Sequence, residues 1–153
     1  MSLAEMLARF PHAGRVEWIG LRPARRAPVV SVQDGEVRED GFVGDHGRPG
    51  KRAVTLIQAE HLPVIAALAR VEVTPQILRR NVVVSRINLA ALRKERVRVG
   101  GAVLQVEGPC PPCSRMEEYL GPGGYNAVRL HGGWYCSVVE EGRVAVGDAV
   151  TKG

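Results

Sequence analysis

The residues best equipped for chemistry lie in one segment, Gly108-Pro109-Cys110-Pro111-Pro112-Cys113-Ser114-Arg115-Met116-Glu117-Glu118. It follows an alternating apolar run, Ala102 to Glu107, that reads as a strand, and it precedes a stretch that reads as a helix. Pro111-Pro112 forces an extended entry and sets Cys113 or Ser114 at the helix cap. A thiol there meets the positive end of the helix dipole and unpaired backbone donors, with Arg115 beside it. Those influences lower a cysteine pKa and favour the nucleophilic thiolate. The spacing Cys110-x-x-Cys113 admits four readings. A thioredoxin-like redox pair requires a βαβ alternation that this chain lacks. A zinc site needs four ligands at tight spacing, yet His46, His61 and His131 are scattered and there is no second C-x-x-C. A buried structural thiol is the bland alternative. The flanking prolines and glycines favour an exposed loop instead, and with it a reactive Cys113. Cys136, two residues after Trp134 in a strand-like stretch, is read as core.

The elements that must position this segment are mostly strands. Arg15 to Leu21 and Pro28 to Val32 read as strands, and Asp34-Gly35 as a tight turn. Gly41 to Gly50 holds four glycines and a proline and reads as a loop. Ala53 to Ile57 is strand-like. A helix follows over Glu60 to Arg70, with Leu62, Ile65, Ala66 and Ala69 on one face. Thr74-Pro75 opens a second helix that runs to about Arg80, before an apolar strand at Val82 to Val84. Val97 to Val103 and Val144 to Val150 share a strand-turn-strand pattern around glycine, and Glu140-Glu141-Gly142 reads as a further hairpin turn. Period-two strands, glycine turns and a few short helices predict a mostly β fold, a closed or nearly closed barrel with peripheral helices.

Composition bounds the function. A chain of 153 residues, 45% hydrophobic and 24% charged, has the size and make-up of one ordinary globular domain spanning 1–153. No stretch approaches the ~20 apolar residues of a membrane helix, and the first ten residues do not have the form of a signal peptide. Three cysteines are too few, and odd in number, for a secreted disulfide framework, so a cytoplasmic protein with reduced thiols is expected. The net charge is +5, and 18 of 21 basic residues are arginine. Arginine suits phosphate, but aromatics make up only 5% of the chain and no basic run is interleaved with them. Solvated surface charge is therefore favoured over nucleic-acid binding.

An ordered set of motifs resembles the MOSC domain, the module found at the C-terminus of molybdenum cofactor sulfurases and as small stand-alone bacterial proteins. The set comprises Gly44-Asp45; Arg52 to Ile57; Arg80-Asn81 leading into Val82-Val83-Val84; Pro112 to Glu117; His131-Gly132-Gly133; and Val146 to Val150. The resemblance covers roughly Arg15 to Val150. It implies a MOSC-type β-barrel in which Cys113 either carries sulfur as a persulfide or serves as a thiolate ligand to molybdenum in the molybdenum cofactor (molybdopterin). It also implies that Cys110 could resolve a persulfide or protect Cys113 as a disulfide. An enzyme of this kind would be sulfurtransferase-like or a molybdenum-dependent reductase of N-oxygenated compounds; a non-catalytic cofactor-binding module is the other class. There is no room for a pyridoxal-phosphate site, so sulfur would come from a separate pyridoxal-phosphate-dependent cysteine desulfurase, and electrons from a separate redox partner. No second β-rich segment precedes the domain, which points away from the reductases of the family.

The remaining motif residues are candidate cofactor contacts, each with a plainer alternative. Arg80 and Asn81 could hold a phosphate or pterin, or Asn81 could cap the end of the Thr74 helix. Asp45 could serve the site or bond its own backbone turn, the latter favoured. His46 directly follows Asp45, where relatives place an arginine first. His131 could be a proton donor or ligand, or merely exposed. Arg48, Lys51 and Arg52 form the densest basic cluster near a glycine loop, an anion site shared with Arg80 and Cys113.

Overall fold

Alternating strands close into a barrel in this computed structural model, which describes residues 1–47 and 49–153. Arg48 lies outside the described residues. Eleven strands occur among the described residues: β1 (Gly14–Leu21), β2 (Val30–Val32), β3 (Asp34–Arg38), β4 (Gly41–Phe42), β5 (Val54–Gln58), β6 (Val82–Ser85), β7 (Arg96–Val99), β8 (Ala102–Pro109), β9 (Trp134–Glu140), β10 (Gly142–Ala145) and β11 (Ala149–Lys152). The main sheet runs β11-β7-β8-β9-β5-β6-β1-β2, and β11 also pairs with β1, so seven strands close a ring with β2 appended. A small sheet, β10-β3-β4, flanks it. Every pairing is antiparallel except β5 with β6. A parallel pair needs a crossover, and here it carries α2 (His61–Ala69) and α3 (Pro75–Leu78).

The burial of β5 and β6 follows from that crossover. Val54, Leu56, Val82 and Val84 point into the barrel core. Ile57 and Val83 point outward, into a second cluster with Ile65, Leu78, Met116, Leu120 and Val128. Both faces are covered, so the sequence reads as continuous apolar runs, as in parallel sheets. The outer layer is completed by α4 (Ser114–Leu120) and α5 (Gly124–Val128), while α1 (Leu3–Leu7) buries no residue. No described helix is long and apolar enough to cross a membrane.

The helix from Thr74 ends at Leu78 rather than Arg80, because Arg79 turns left-handed (φ 57°) as its C-cap. Asn81 therefore does not cap it. Asp34-Gly35 is not a tight turn but the start of β3, paired with Ala145 and Val144 of β10. A Cβ on Gly35 would come 2.8 Å from the Phe42 ring, so the glycine serves close packing within the sheet. Gly41–Phe42, inside the expected loop, adds the short strand β4. Pro28 and Val29 lie outside β2. The two glycine echoes differ: Val97 to Val103 is a true hairpin, β7 with β8. The arms of Val144 to Val150 separate, with β10 joining β3 and β11 joining β7. Glu140-Glu141-Gly142 likewise links β9 to β10 without pairing them.

Candidate functional site

Cys113 is an exposed thiol at the N-cap of α4, in extended backbone (φ −129°, ψ 171°). Its carbonyl accepts from the Met116 amide at 2.9 Å, closing the first turn. The diproline does what its chemistry demands: residues 110–113 contain no turn or bend. An unbent tetrapeptide carries its ends about 10 Å apart. Direct disulfide closure is confined to Cα separations below about 7 Å, so bridging Cys110 to Cys113 requires a backbone rearrangement.

Two adjoining concavities share Arg22 and Arg52. The outer one, about 480 Å³, is lined by Arg22, His46, Gly47, Arg52, Cys113 and Arg115. The deeper one, about 140 Å³, adds Thr55, Arg80, Cys110, Pro111 and Tyr135. Thr55 lies on the outward face of β5, between the inward Val54 and Leu56, and is paired across the sheet with Tyr135. The cleft is thus a notch in the barrel wall where the α4 entry and the glycine loop meet.

Its electrostatics are lopsided. Among the described residues only Arg22 has a carboxylate partner: its Nη2 donates to Asp45 Oδ2 at 2.9 Å and its Nε to Oδ1 at 3.1 Å. The Asp45 side chain is fully buried in that fork. Arg52, Arg80 and Arg115 have no acidic group within 4.0 Å. Arg52 lies 4.6 Å over the Tyr135 ring, a contact that orients the guanidinium while leaving its charge available. Arg80 donates Nε to the Gly132 carbonyl at 2.7 Å and Nη1 to the Leu78 carbonyl at 3.0 Å, which leaves Nη2 without an acceptor among the described residues. Three cationic forks without counter-ions thus line one notch, a charge and shape complementary to an oxygen-rich anion.

The supports of these arginines are hydrogen-bonded in turn. Asn81 is fully buried. Its Oδ1 accepts from the Thr55 amide at 3.0 Å, and its Nδ2 donates to the Gly20 carbonyl at 3.1 Å and to Asp45 Oδ1 at 3.2 Å. The Arg22 amide also donates to Asp45, at 2.6 Å. A chain of bonds thus runs Asn81–Asp45–Arg22, from β6 through the glycine loop to the cleft. Asn81 and Asp45 stand behind the cleft wall and hold Arg22. Asp45 bonds across the fold, not to its own turn as expected.

His131 is not in the cleft. Its ring packs edge-on against His61, centroids 5.3 Å apart, and its buried Nδ1 has no partner among the described residues. What its motif supplies is backbone: the Gly132 carbonyl holds Arg80, and the Gly133 carbonyl accepts from the Cys110 amide at 2.8 Å. Gly133 has φ 92°, and a side chain there would collide with the Leu56 carbonyl. Lys51 lines neither concavity. Arg22 and Tyr135 were not singled out by the sequence reading. The signal for Arg22 was the strand-end Arg-Pro that precedes a second basic pair; Tyr135 carried none.

The two other thiols are chemically quieter. Cys110, on the floor of the deeper concavity, has its pKa raised by burial, against the opposing pull of Arg80, Arg52 and Arg22. Cys136 lies in the barrel core, and burial pushes its thiol well above the ordinary range, with Cys110 and Glu107 adding to the effect.

This barrel, with one exposed cysteine at its arginine-lined notch, defines a class. The model of the MOSC domain matches residues 31–151, and the chain belongs to that family, which is associated with molybdenum cofactor proteins. Among solved structures it is similar to the YuaD protein of Bacillus subtilis (TM-score 0.79, 20% identity, 91% of this chain and 94% of that one). It is also similar to YiiM of Escherichia coli (TM-score 0.70, 20% identity, 91% and 69%) and to YiiM of Geobacillus stearothermophilus (TM-score 0.71, 18% identity, 92% and 75%). At these identities the likeness is one of fold. No curated protein matches the chain.

Proposed function

We propose that the notch receives the molybdenum cofactor and that the Cys113 thiolate is its ligand to molybdenum. The observation that carries this reading is the meeting of an exposed thiol with Arg52, Arg80 and Arg115, three guanidinium groups without carboxylates, in one cleft. The donor set fits the group: the cofactor bears a phosphate, which the arginines match, and a soft metal centre, which a thiolate matches. When bound, the cofactor supplies two-electron oxygen-atom chemistry. The chain's own residues do the rest. Arg52, Arg80 and Arg115 bind the anionic portion, and Arg22 is held at the wall by Asp45 and Asn81. Cys113, at the rim, is presented in extended backbone where a metal or a partner protein can reach it.

Exposure of Cys113 also favours a second reading, sulfur carriage. The Cys113 thiolate would attack the outer sulfur of a persulfide on a cysteine desulfurase. A new S–S bond forms on Cys113, the donor S–S bond breaks, and the donor cysteine leaves as thiolate, with no net oxidation. Electrons for a reductase activity would come from a separate redox partner.

Mass spectrometry and metal analysis of protein purified from its own host test both readings. Stoichiometric molybdenum and pterin, lost in Cys113→Ser with the fold intact, is the expected result. A persulfide on Cys113 without pterin would move the assignment to sulfur transfer. Normal loading of Cys113→Ser would overturn both.

A further inference from the structure

A third concavity, about 390 Å³, lies one turn further along α4 from the cysteine notch and has no part in the reading above. Its walls are Pro28 and Val29 from the loop before β2, Ile77 from α3 and Tyr119 from α4. Arg26 and Arg79 stand among them. Tyr119 is four residues beyond Arg115, so one helical turn of α4 separates this pocket from the notch, a rise of about 6 Å. The volume and the mixture of apolar wall with a few polar groups are those of a small-ligand site.

The charge of the pocket is uncompensated. Neither Arg26 nor Arg79 has a carboxylate within 4.0 Å among the described residues. Arg79 is largely buried and is fixed by donating to the Ala27 and Ala24 carbonyls, neutral acceptors that leave its charge unmet. Burial lowers its pKa; Tyr119 and Asp45 oppose that shift, while Arg115 and Arg22 add to it. Both residues also sit in left-handed backbone, φ 65° at Arg26 and φ 57° at Arg79, where glycine or asparagine is favoured. An apolar wall with an aromatic ring, next to two arginines, matches a flat ring that bears one negative charge.

We infer that this pocket is a binding site for a small aryl carboxylate, its ring against Tyr119, Ile77 and Val29 and its carboxylate between Arg26 and Arg79. The site stands apart from Cys113 and does not depend on the cofactor reading.

Benzoate, benzamide and inorganic phosphate titrated into ¹⁵N-labelled full-length protein test this site. Benzoate is expected to shift the Val29, Ile77 and Tyr119 amides saturably. Benzamide, which keeps the ring and loses the charge, should bind at least about tenfold more weakly, as expected for loss of one charge-assisted interaction. Phosphate alone should shift the notch around Arg52 and leave this pocket unmoved. Arg26→Gln should bring benzoate down toward benzamide, Tyr119→Ala should weaken both, and Cys113→Ser should change neither. Arg26 is exposed, so its variant keeps the fold, verified by the unshifted remainder of the spectrum. Equal binding of benzoate and benzamide, shifts scattered over the surface, or loss of binding in Cys113→Ser would each overturn the inference.

Discussion

At the scale of residues, position separates three chemically identical thiols. Cys113 is exposed, whereas burial raises the pKa of Cys110 and, much more, of Cys136. Iodoacetamide at neutral pH should therefore modify Cys113 first and leave the other two until the protein unfolds; prior labelling of Cys110, read by peptide mass, would contradict the assignment. The raised values have a stability consequence with a definite sign. A thiol whose folded pKa exceeds its unfolded value stabilises below the unfolded pKa, and that contribution fades as pH rises from about 9 through the folded value. Thermal stability should thus fall above pH 9, and less steeply in Cys136→Ala after allowance for its lower starting point. The polar support behind the notch makes a second residue-scale case. Asn81→Ala strips a partner from the buried Thr55 amide, the Gly20 carbonyl and Asp45 at once. Each orphaned buried group costs about 1–3 kcal/mol, so a loss of about 3 kcal/mol in urea unfolding is expected. Anion affinity at the notch should fall with it as Arg22 loosens. The sequence showed Asn81 and Asp45 as site candidates but could not show their role, because the partners lie 26 and 36 positions away.

At the scale of elements, legibility tracked how local the causes were. The Thr74-Pro75 start is written in adjacent residues: the Thr74 hydroxyl accepts from the Ile77 amide at 3.4 Å, with proline at the first position. The α2 boundaries are as expected too, although its N-cap Glu60 makes no side-chain cap bond and its end is set by left-handed Arg70. By contrast, α5 has the unpromising sequence Gly-Tyr-Asn-Ala-Val and was not foreseen. Its cap is remote, since the Glu117 carboxylate accepts from the Gly123 amide at 2.9 Å and the Tyr125 amide at 3.0 Å. Those donors lower the Glu117 pKa, so α5 is held above the ordinary value of 4.5 and released as pH falls through the depressed value. The amide resonances of Gly123 and Tyr125 should titrate together with a midpoint below 4.5 and stay flat in Glu117→Gln. A midpoint at or above 4.5 would show that the cap does not form in solution. The misassigned turns fail in the same way as α5: Asp34-Gly35 has the composition of a hairpin, but its partner is β10, more than a hundred residues on.

At the scale of the whole molecule, a barrel was readable from alternation and glycine turns, but its strand order was not, because pairing is set by closure rather than by neighbours. The ring is not uniformly held. Strands β8 and β9 share six register positions, from Val103 with Glu140 to Pro109 with Trp134. The closing seam between β1 and β11 has two, Gly14 with Val150 and Arg15 with Ala149. Bonds from the Val16 amide to the Asp148 carbonyl at 2.9 Å and from the Gly147 amide to the Val16 carbonyl at 2.8 Å extend that seam by a single turn. Opening free energy scales with the structure lost, so the seam should be the first part of the ring to open and β8–β9 the last. Native-state hydrogen exchange checks this: the Val16 and Gly147 amides should exchange by local opening, insensitive to low denaturant, while β8 and β9 amides exchange only with global unfolding. Val150, fully buried, is the bolt of the seam. Val150→Ala removes two methyl groups and leaves a void, a loss of about 2 kcal/mol. That loss should appear at the seam amides as well as in global stability. Equal exchange at the seam and at β8–β9 would mean that the barrel opens as one unit.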